Sequence, residues 1–270
     1  YSKNIASVLD NYCDLILVGD SLGSVLYNYK STKEVTLNTI IEHSKSVRMG
    51  IKRSLMIVDM PYNTYRNPKE ALKNAKLIMK KTKSDGVKLE GGKKITRIIN
   101  TLVKNNIPVM GHLGVLPQSD KKFKFKGENK VEKENILRDA KLLEQSGAFS
   151  MVLECIETSL AKLVTDSIGI PTIGIGASKN CDGQILVFDD LIGLNPIKVR
   201  FVNPHRVSAK SVYFGTRSEH FWQNMESGER QKTIFAENSV FGKLDFQPCF
   251  GTNRSVQNDR NRSGIISSCS

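Results

Sequence analysis

The chain has 270 residues, of which 39% are hydrophobic and 20 are glycine, an ordinary globular composition able to bury one large core or two small ones. Its formal charge is +13, from 40 Lys and Arg against 27 Asp and Glu, but the basic residues are scattered rather than gathered into an arm, so no nucleic-acid partner is expected. No apolar run reaches the roughly 18 residues of a membrane span and no signal peptide opens the sequence, so no membrane partner and a cytoplasmic location are expected.

The chain opens at Tyr1, not Met, directly in a helix-like stretch, and is expected to begin inside a gene product. From there two textures alternate. Nearly continuous apolar runs at 15–20, 55–60, 86–90, 108–113, 150–155 and 171–176 read as parallel strands buried on both faces, with a weaker candidate at 184–188. Segments with helical periodicity and charged faces lie before and between them, at 2–11, 36–49, 68–83, 93–105, 132–145 and 158–167. Pro68 suits a first helical turn, and Gly50 and Gly147 stand where C-terminal caps would. The five cysteines are far apart with no C-x-x-C pair, which argues against a zinc site or a disulfide framework. After about residue 197 the alternation fades into a stretch rich in Ser, Arg and Asn. The expected division is therefore a catalytic domain over 1–198 and an atypical segment over 199–270, disordered or the product of a shifted reading frame.

Repeating strand and helix units fit either a doubly wound sheet or a (β/α)₈ barrel. The polar residues favour the barrel. Asp20, Asp59, Glu90, His112 and Glu154 stand at the ends of different strands, where barrels gather their catalytic groups. Gly19-Asp20-Ser21-Leu22-Gly23 lacks the glycine spacing of a dinucleotide loop.

Buried carboxylates are costly unless paired, hydrogen-bonded or bound to metal. Asp20 alone could be a helix cap, and Asp59 and Glu90 could pair with lysines. Together, the three are most economically explained by a shared hard cation such as Mg²⁺, which takes oxygen ligands. Residues two apart on a strand share a face, so Lys88 and Glu90 should both point into the barrel; Lys88 then either pairs with an acid or receives a substrate carboxylate. His112, between glycines, is a core histidine or a donor to a ligand. Glu154 is the acid left once the metal has its ligands, and a natural general base.

Five segments, Leu17-Val18-Gly19-Asp20-Ser21-Leu22-Gly23, Val87-Lys88-Leu89-Glu90-Gly91-Gly92, Gly111-His112-Leu113-Gly114 with Pro117-Gln118-Ser119, Leu153-Glu154-Cys155, and Ile173-Gly174-Ile175-Gly176-Ala177 followed by Asp182-Gly183-Gln184, appear in the order and spacing of the ketopantoate hydroxymethyltransferase family. The chain resembles that family from Tyr1 to about Lys198. The resemblance implies an α/β fold, a (β/α)₈ TIM barrel of the phosphoenolpyruvate and pyruvate superfamily, whose first strand would precede Tyr1. It implies transfer of a hydroxymethyl group from 5,10-methylenetetrahydrofolate to 3-methyl-2-oxobutanoate, giving 2-dehydropantoate in pantothenate synthesis. By the same resemblance Asp20, Asp59 and Glu90 match a Mg²⁺ site, directly or through water. Asp20, Ser21, Asp59 and Lys88 match oxoacid-binding positions, with His112 beside them, and Glu154 matches the proton acceptor. The implied partners are a small oxoacid, a folate and further copies of the chain in a homo-oligomer. The alternatives are another enolate-forming lyase of the superfamily, disfavoured because its cysteine-bearing K-K-C-G-H-type loop is absent, and an incomplete homologue without catalysis.

Overall fold

A computed structural model describes residues 1–120, 124–196 and 199–202. Among these residues seven strands form one sheet in consecutive order, β1 (Leu15–Val18), β2 (Leu55–Asp59), β3 (Gly86–Lys88), β4 (Val109–Gly114), β5 (Ser150–Glu154), β6 (Thr172–Ile175) and β7 (Gly183–Gln184). Every neighbouring pair is parallel. A doubly wound sheet would reverse its order at a switch point; this one does not. Residues from both ends of the sheet, Ile16 of β1 and Ile175 and Gln184 of β6 and β7, line one cavity of about 210 Å³, so the sheet curls round an interior. The architecture is the barrel expected from the sequence, open between β7 and β1 among the described residues.

Strand parity sorts the apolar residues into two layers. Leu15, Ile57, Met110, Val152 and Ile173 form the inner cluster. Met56, Val58, Val87, Val109, Met151 and Leu153 face outward into the larger core beneath the helices. The helices are α1 (Lys3–Leu9), α2 (Leu22–Tyr27), α3 (Leu37–Gly50), α4 (Pro68–Thr82), α5 (Thr96–Val103), α6 (Lys130–Gln145), α7 (Thr158–Ser167) and α8 (Phe188–Leu191). The local chemistry of α4 is typical. The Asn67 side chain accepts from the Glu70 N–H, Pro68 fills the first turn, and Lys83 ends the helix at φ 57°. Ala71, Ala75, Ile78 and Met79 are its buried stripe, and the lysines between them stay outside.

Some boundaries differ from the sequence reading. The helix expected over 93–105 is a 3₁₀ turn (Lys93–Ile95) followed by α5. The weak strand at 184–188 pairs only through Gly183–Gln184, and Phe188 already opens α8. Gly147, at φ 95°, is the left-handed residue expected after α6. Gly50 is not such a cap: it is the last residue of α3, and a Cβ there would run into the backbone carbonyl of Lys3 on α1. Cys13, Cys155 and Cys181 are free thiols, and Cys249 and Cys269 lie outside the described residues. The segment expected to be atypical, 199–270, lies outside them too, apart from 199–202. Among the described residues no helix is long and apolar enough to cross a membrane.

Candidate active site

Parity and register place the polar residues. In β2 the inward residue after Ile57 is Asp59, and in β4 and β5 those after Met110 and Val152 are His112 and Glu154. Asp59 lies in register with Lys88, so the two inward side chains meet at the carboxyl end of the sheet. Asp20 and Ser21 follow β1, and Glu90 follows β3. Asp20, Ser21, Asp59, Lys88, Glu90, His112 and Glu154 all line the cavity, and the acids, Lys88 and His112 are all buried. All the residues singled out from the sequence therefore come together in one place.

The contacts form one network. Lys88 Nζ lies 3.0 Å from Asp59 Oδ1, 4.0 Å from Glu90 Oε1 and 3.2 Å from His112 Nδ1. Lys88 thus pairs with an acid, as one sequence reading allowed, and more closely with Asp59 than with Glu90. An ammonium can only donate, so His112 Nδ1 is the accepting nitrogen and the ring proton belongs on Nε2. That Nε2 lies 3.2 Å from Glu154 Oε2, off the line of a good hydrogen bond. Asp20 is not a helix cap: its backbone N–H donates to Asp59 Oδ2 at 2.9 Å, and its carboxylate accepts from Gln118. Ser21 Oγ shares a 2.6 Å hydrogen bond with the Tyr1 hydroxyl. Gly114 is required where β4 meets β5: it has φ 99°, and a Cβ would collide with the Glu154 carbonyl.

The charges do not balance. Three carboxylates, Asp20, Asp59 and Glu90, share one ammonium. Burial, and next the charge of Asp59, hold the Asp20 carboxyl well above the usual carboxylate range, with Lys88 and Gln118 opposing. Burial also raises Glu90, against the pull of Lys88 and of the Gln118 N–H. Burial pushes the Lys88 ammonium down, but Asp59, Glu90 and Asp20 more than offset it. Asp59 Oδ1 is held by the Lys88 ammonium alone. An excess of buried negative charge fits a divalent cation, which would remove the repulsion that helps raise Asp20. Among the described residues no three His, Cys, Asp or Glu side chains close into a ligand set by themselves. Mg²⁺ does not need one, because it binds through one or two carboxylates and completes its shell with water and substrate oxygens.

Sequence reasoning gave no role to Gln118, Tyr65 or Tyr1. Gln118 stood in a quoted segment, but nothing local shows that its amide reaches an acid 98 residues away.

Comparison with known proteins shows the family and the fold. The family model for ketopantoate hydroxymethyltransferase matches residues 1–227, further than the resemblance read to about Lys198. The 3-methyl-2-oxobutanoate hydroxymethyltransferase of Pelagibacter ubique is 68% identical over 212 residues, covering 78% of this chain and 82% of the relative. The enzyme of the same name from Rhizobium rhizogenes is 49% identical over 217 residues, covering 78% and 80%. Among solved structures, phosphonopyruvate hydrolase in complex with oxalate and Mg²⁺ is similar with TM-score 0.52 at 10% identity, over 64% of each chain. The 2,3-dimethylmalate lyase of the PEP mutase/isocitrate lyase superfamily gives 0.50 at 15% identity, over 64% of this chain and 62% of that one. Likeness at such identities speaks for the barrel fold alone. The family match over residues 1–227 and the relatives at 68% and 49% identity speak for more: the chain belongs to the ketopantoate hydroxymethyltransferase family.

Proposed function

We propose that this chain transfers a hydroxymethyl group from 5,10-methylenetetrahydrofolate to 3-methyl-2-oxobutanoate, giving 2-dehydropantoate in pantothenate synthesis, with Glu154 as the base and Mg²⁺ held by Asp20, Asp59 and Glu90, directly or through water. The reaction is the one its relatives are named for. The observation that carries the residue roles is the cluster itself, three buried acids around one buried lysine at the mouth of a single cavity, with a fourth acid across it.

Each side chain has a task. Lys88 supplies positive charge where the oxoacid carboxylate would lie, and Ser21, steadied by Tyr1, offers a hydroxyl to the same substrate. Glu154 takes the C3 proton of the oxoacid, leaving an enolate whose charge rests on the keto oxygen. His112 brings its Nε2 to 3.2 Å from Glu154 Oε2, a neighbour of the base rather than a hydrogen-bonded support. When bound among the acids, Mg²⁺ supplies Lewis-acid stabilisation of negative charge developing on the substrate. The carbanion and a water then take over the folate-borne carbon: a carbon–carbon and a carbon–oxygen bond form as its two carbon–nitrogen bonds break, and the folate nitrogens take up the C3 proton and one proton of the water as tetrahydrofolate leaves. Leu15, Leu17 and Ile175 line the same cavity and give part of its wall an apolar character, as a branched hydrocarbon tail requires. A cytoplasmic homo-oligomer belongs to the same reading, supported by the family. The test is an assay for folate-dependent formation of 2-dehydropantoate with Mg²⁺ and after chelation. Turnover that needs both supports the proposal; turnover indifferent to chelation contradicts the cation site.

A further inference from the structure

Gln118 lies in the loop after β4 and is 2% exposed. Its Nε2 donates to Asp20 Oδ2 at 2.7 Å and to the Met60 carbonyl at 3.0 Å, while its backbone N–H donates to Glu90 Oε2 at 3.0 Å. One residue thus ties down two of the three clustered acids, which sit after different strands. The Tyr65 hydroxyl donates to Gln118 Oε1 at 2.5 Å, and the Glu90 carbonyl, at 3.4 Å, is its much weaker second acceptor.

The amide has one allowed orientation. A carboxylate and a carbonyl can only accept, so the NH₂ must face Asp20 and Met60, and the oxygen must face Tyr65. The Tyr65 hydroxyl is then obliged to donate, and its hydrogen bond makes a flipped amide costly. All the hydrogen-bonding capacity of the amide NH₂ is used, as a buried polar group requires. A neutral donor also suits the place. It fixes the Asp20 carboxylate without adding a positive charge that would compete with a cation, as a lysine would.

We propose that Gln118 is a positioning residue for the cation site, holding Asp20 through its side chain and Glu90 through its backbone, with its amide oriented by Tyr65. The inference rests on the reading above that Asp20 and Glu90 face a divalent cation. Residues that orient ligating groups typically change metal affinity by about 10–100-fold when removed.

The test is Mn²⁺ binding, followed by the loss of the free-ion electron paramagnetic resonance signal, to the full chain and to Gln118→Met, Tyr65→Phe and the double variant. Gln118→Met keeps the length of the side chain and the backbone N–H but removes the amide. We expect it to weaken Mn²⁺ binding by about 10-fold or more, and Tyr65→Phe to weaken it several-fold. Because Tyr65 acts through Gln118, the double variant should bind no more weakly than Gln118→Met alone. Circular dichroism in chelator checks that each variant folds. Affinity of Gln118→Met within twofold of the parent would overturn the proposal, and independent, multiplying losses would overturn the role given to Tyr65. If Gln118→Met does not fold, Tyr65→Phe decides: loss of affinity supports the proposal and unchanged affinity overturns it. A parent chain that binds no Mn²⁺ would bring down the cation site itself, an outcome distinct from a parent that binds and a variant that binds equally.

Discussion

Replacing Lys88 by Met is the sharpest test of the charge balance in the site. The side chains are similar in length, so packing changes little and the ammonium is what is lost. At 3.0 Å from Asp59 Oδ1, the Coulomb attraction is about 5 kcal/mol for an effective dielectric of ~20. Desolvation of both groups offsets part of that. Removing one partner of a buried pair costs about 3–5 kcal/mol, because the other is left buried and uncompensated. Here three acids are left, and the upper part of that range is expected. For a domain of this size about 3–5 kcal/mol lowers the thermal midpoint by roughly 6–20 °C. The measurement is thermal and urea unfolding in chelator, with Lys88→Met and Lys88→Met/Asp59→Asn compared with the parent. The second substitution removes the charge that the first strands, so it should recover a large part of the loss. A single variant within about 1 kcal/mol of the parent, or a double variant that loses the sum of both single effects, would refute the reasoning.

Two further predictions concern the scaffold. Burial pushes the Asp10 carboxyl up, but the backbone N–H groups of Ser54, Lys52 and Arg53 more than offset it and hold it below its ordinary value. A depressed folded-state pKa stabilises above the unfolded value near ~3.9 and is lost as pH falls through the folded value. Asp10→Asn, which keeps one acceptor and removes the charge, should therefore cost about 2–4 kcal/mol at neutral pH and progressively less below about pH 4, read by urea unfolding; a cost independent of pH would exclude the charged form as the cause. Gly50→Ala gains up to ~1 kcal/mol of helix propensity, but its Cβ meets the Lys3 carbonyl and the Ala6 methyl of α1. Backbone cannot yield as a side chain can, so a net loss of about 1–3 kcal/mol is expected in thermal unfolding, and a stabilised variant would show that α1 moves freely.

Much of this was legible because burial on both faces makes a parallel strand an apolar run, and parity then places Asp59, Lys88, His112 and Glu154 on one side. What could not be read depends on register and on distant chain. The 3.0 Å pairing of Lys88 with Asp59 follows from Asp59 lying beside Lys88 in neighbouring strands, whereas the sequence alone leaves open which acid Lys88 meets. Gln118 touches Asp20 and Glu90 across 98 and 28 residues, and no local pattern encodes that. Gly50 has a cap's position and a packing residue's purpose, which only the approach of α1 reveals. The run at 184–188 looks like a strand because Ile185, Leu186 and Val187 line the cavity, although none of them belongs to β7.

The central claim is that Glu154 removes the C3 proton of the oxoacid. Exchange of that proton with solvent deuterium tests it most directly, because it needs no folate and reports on proton removal alone. Glu154→Gln keeps the shape of the side chain but cannot accept the proton. The account predicts near-parental binding of 3-methyl-2-oxobutanoate, with exchange slowed by about 10²–10⁴ in the presence of Mg²⁺. Exchange by Glu154→Gln at the rate of the parent would contradict it and assign the base to another group.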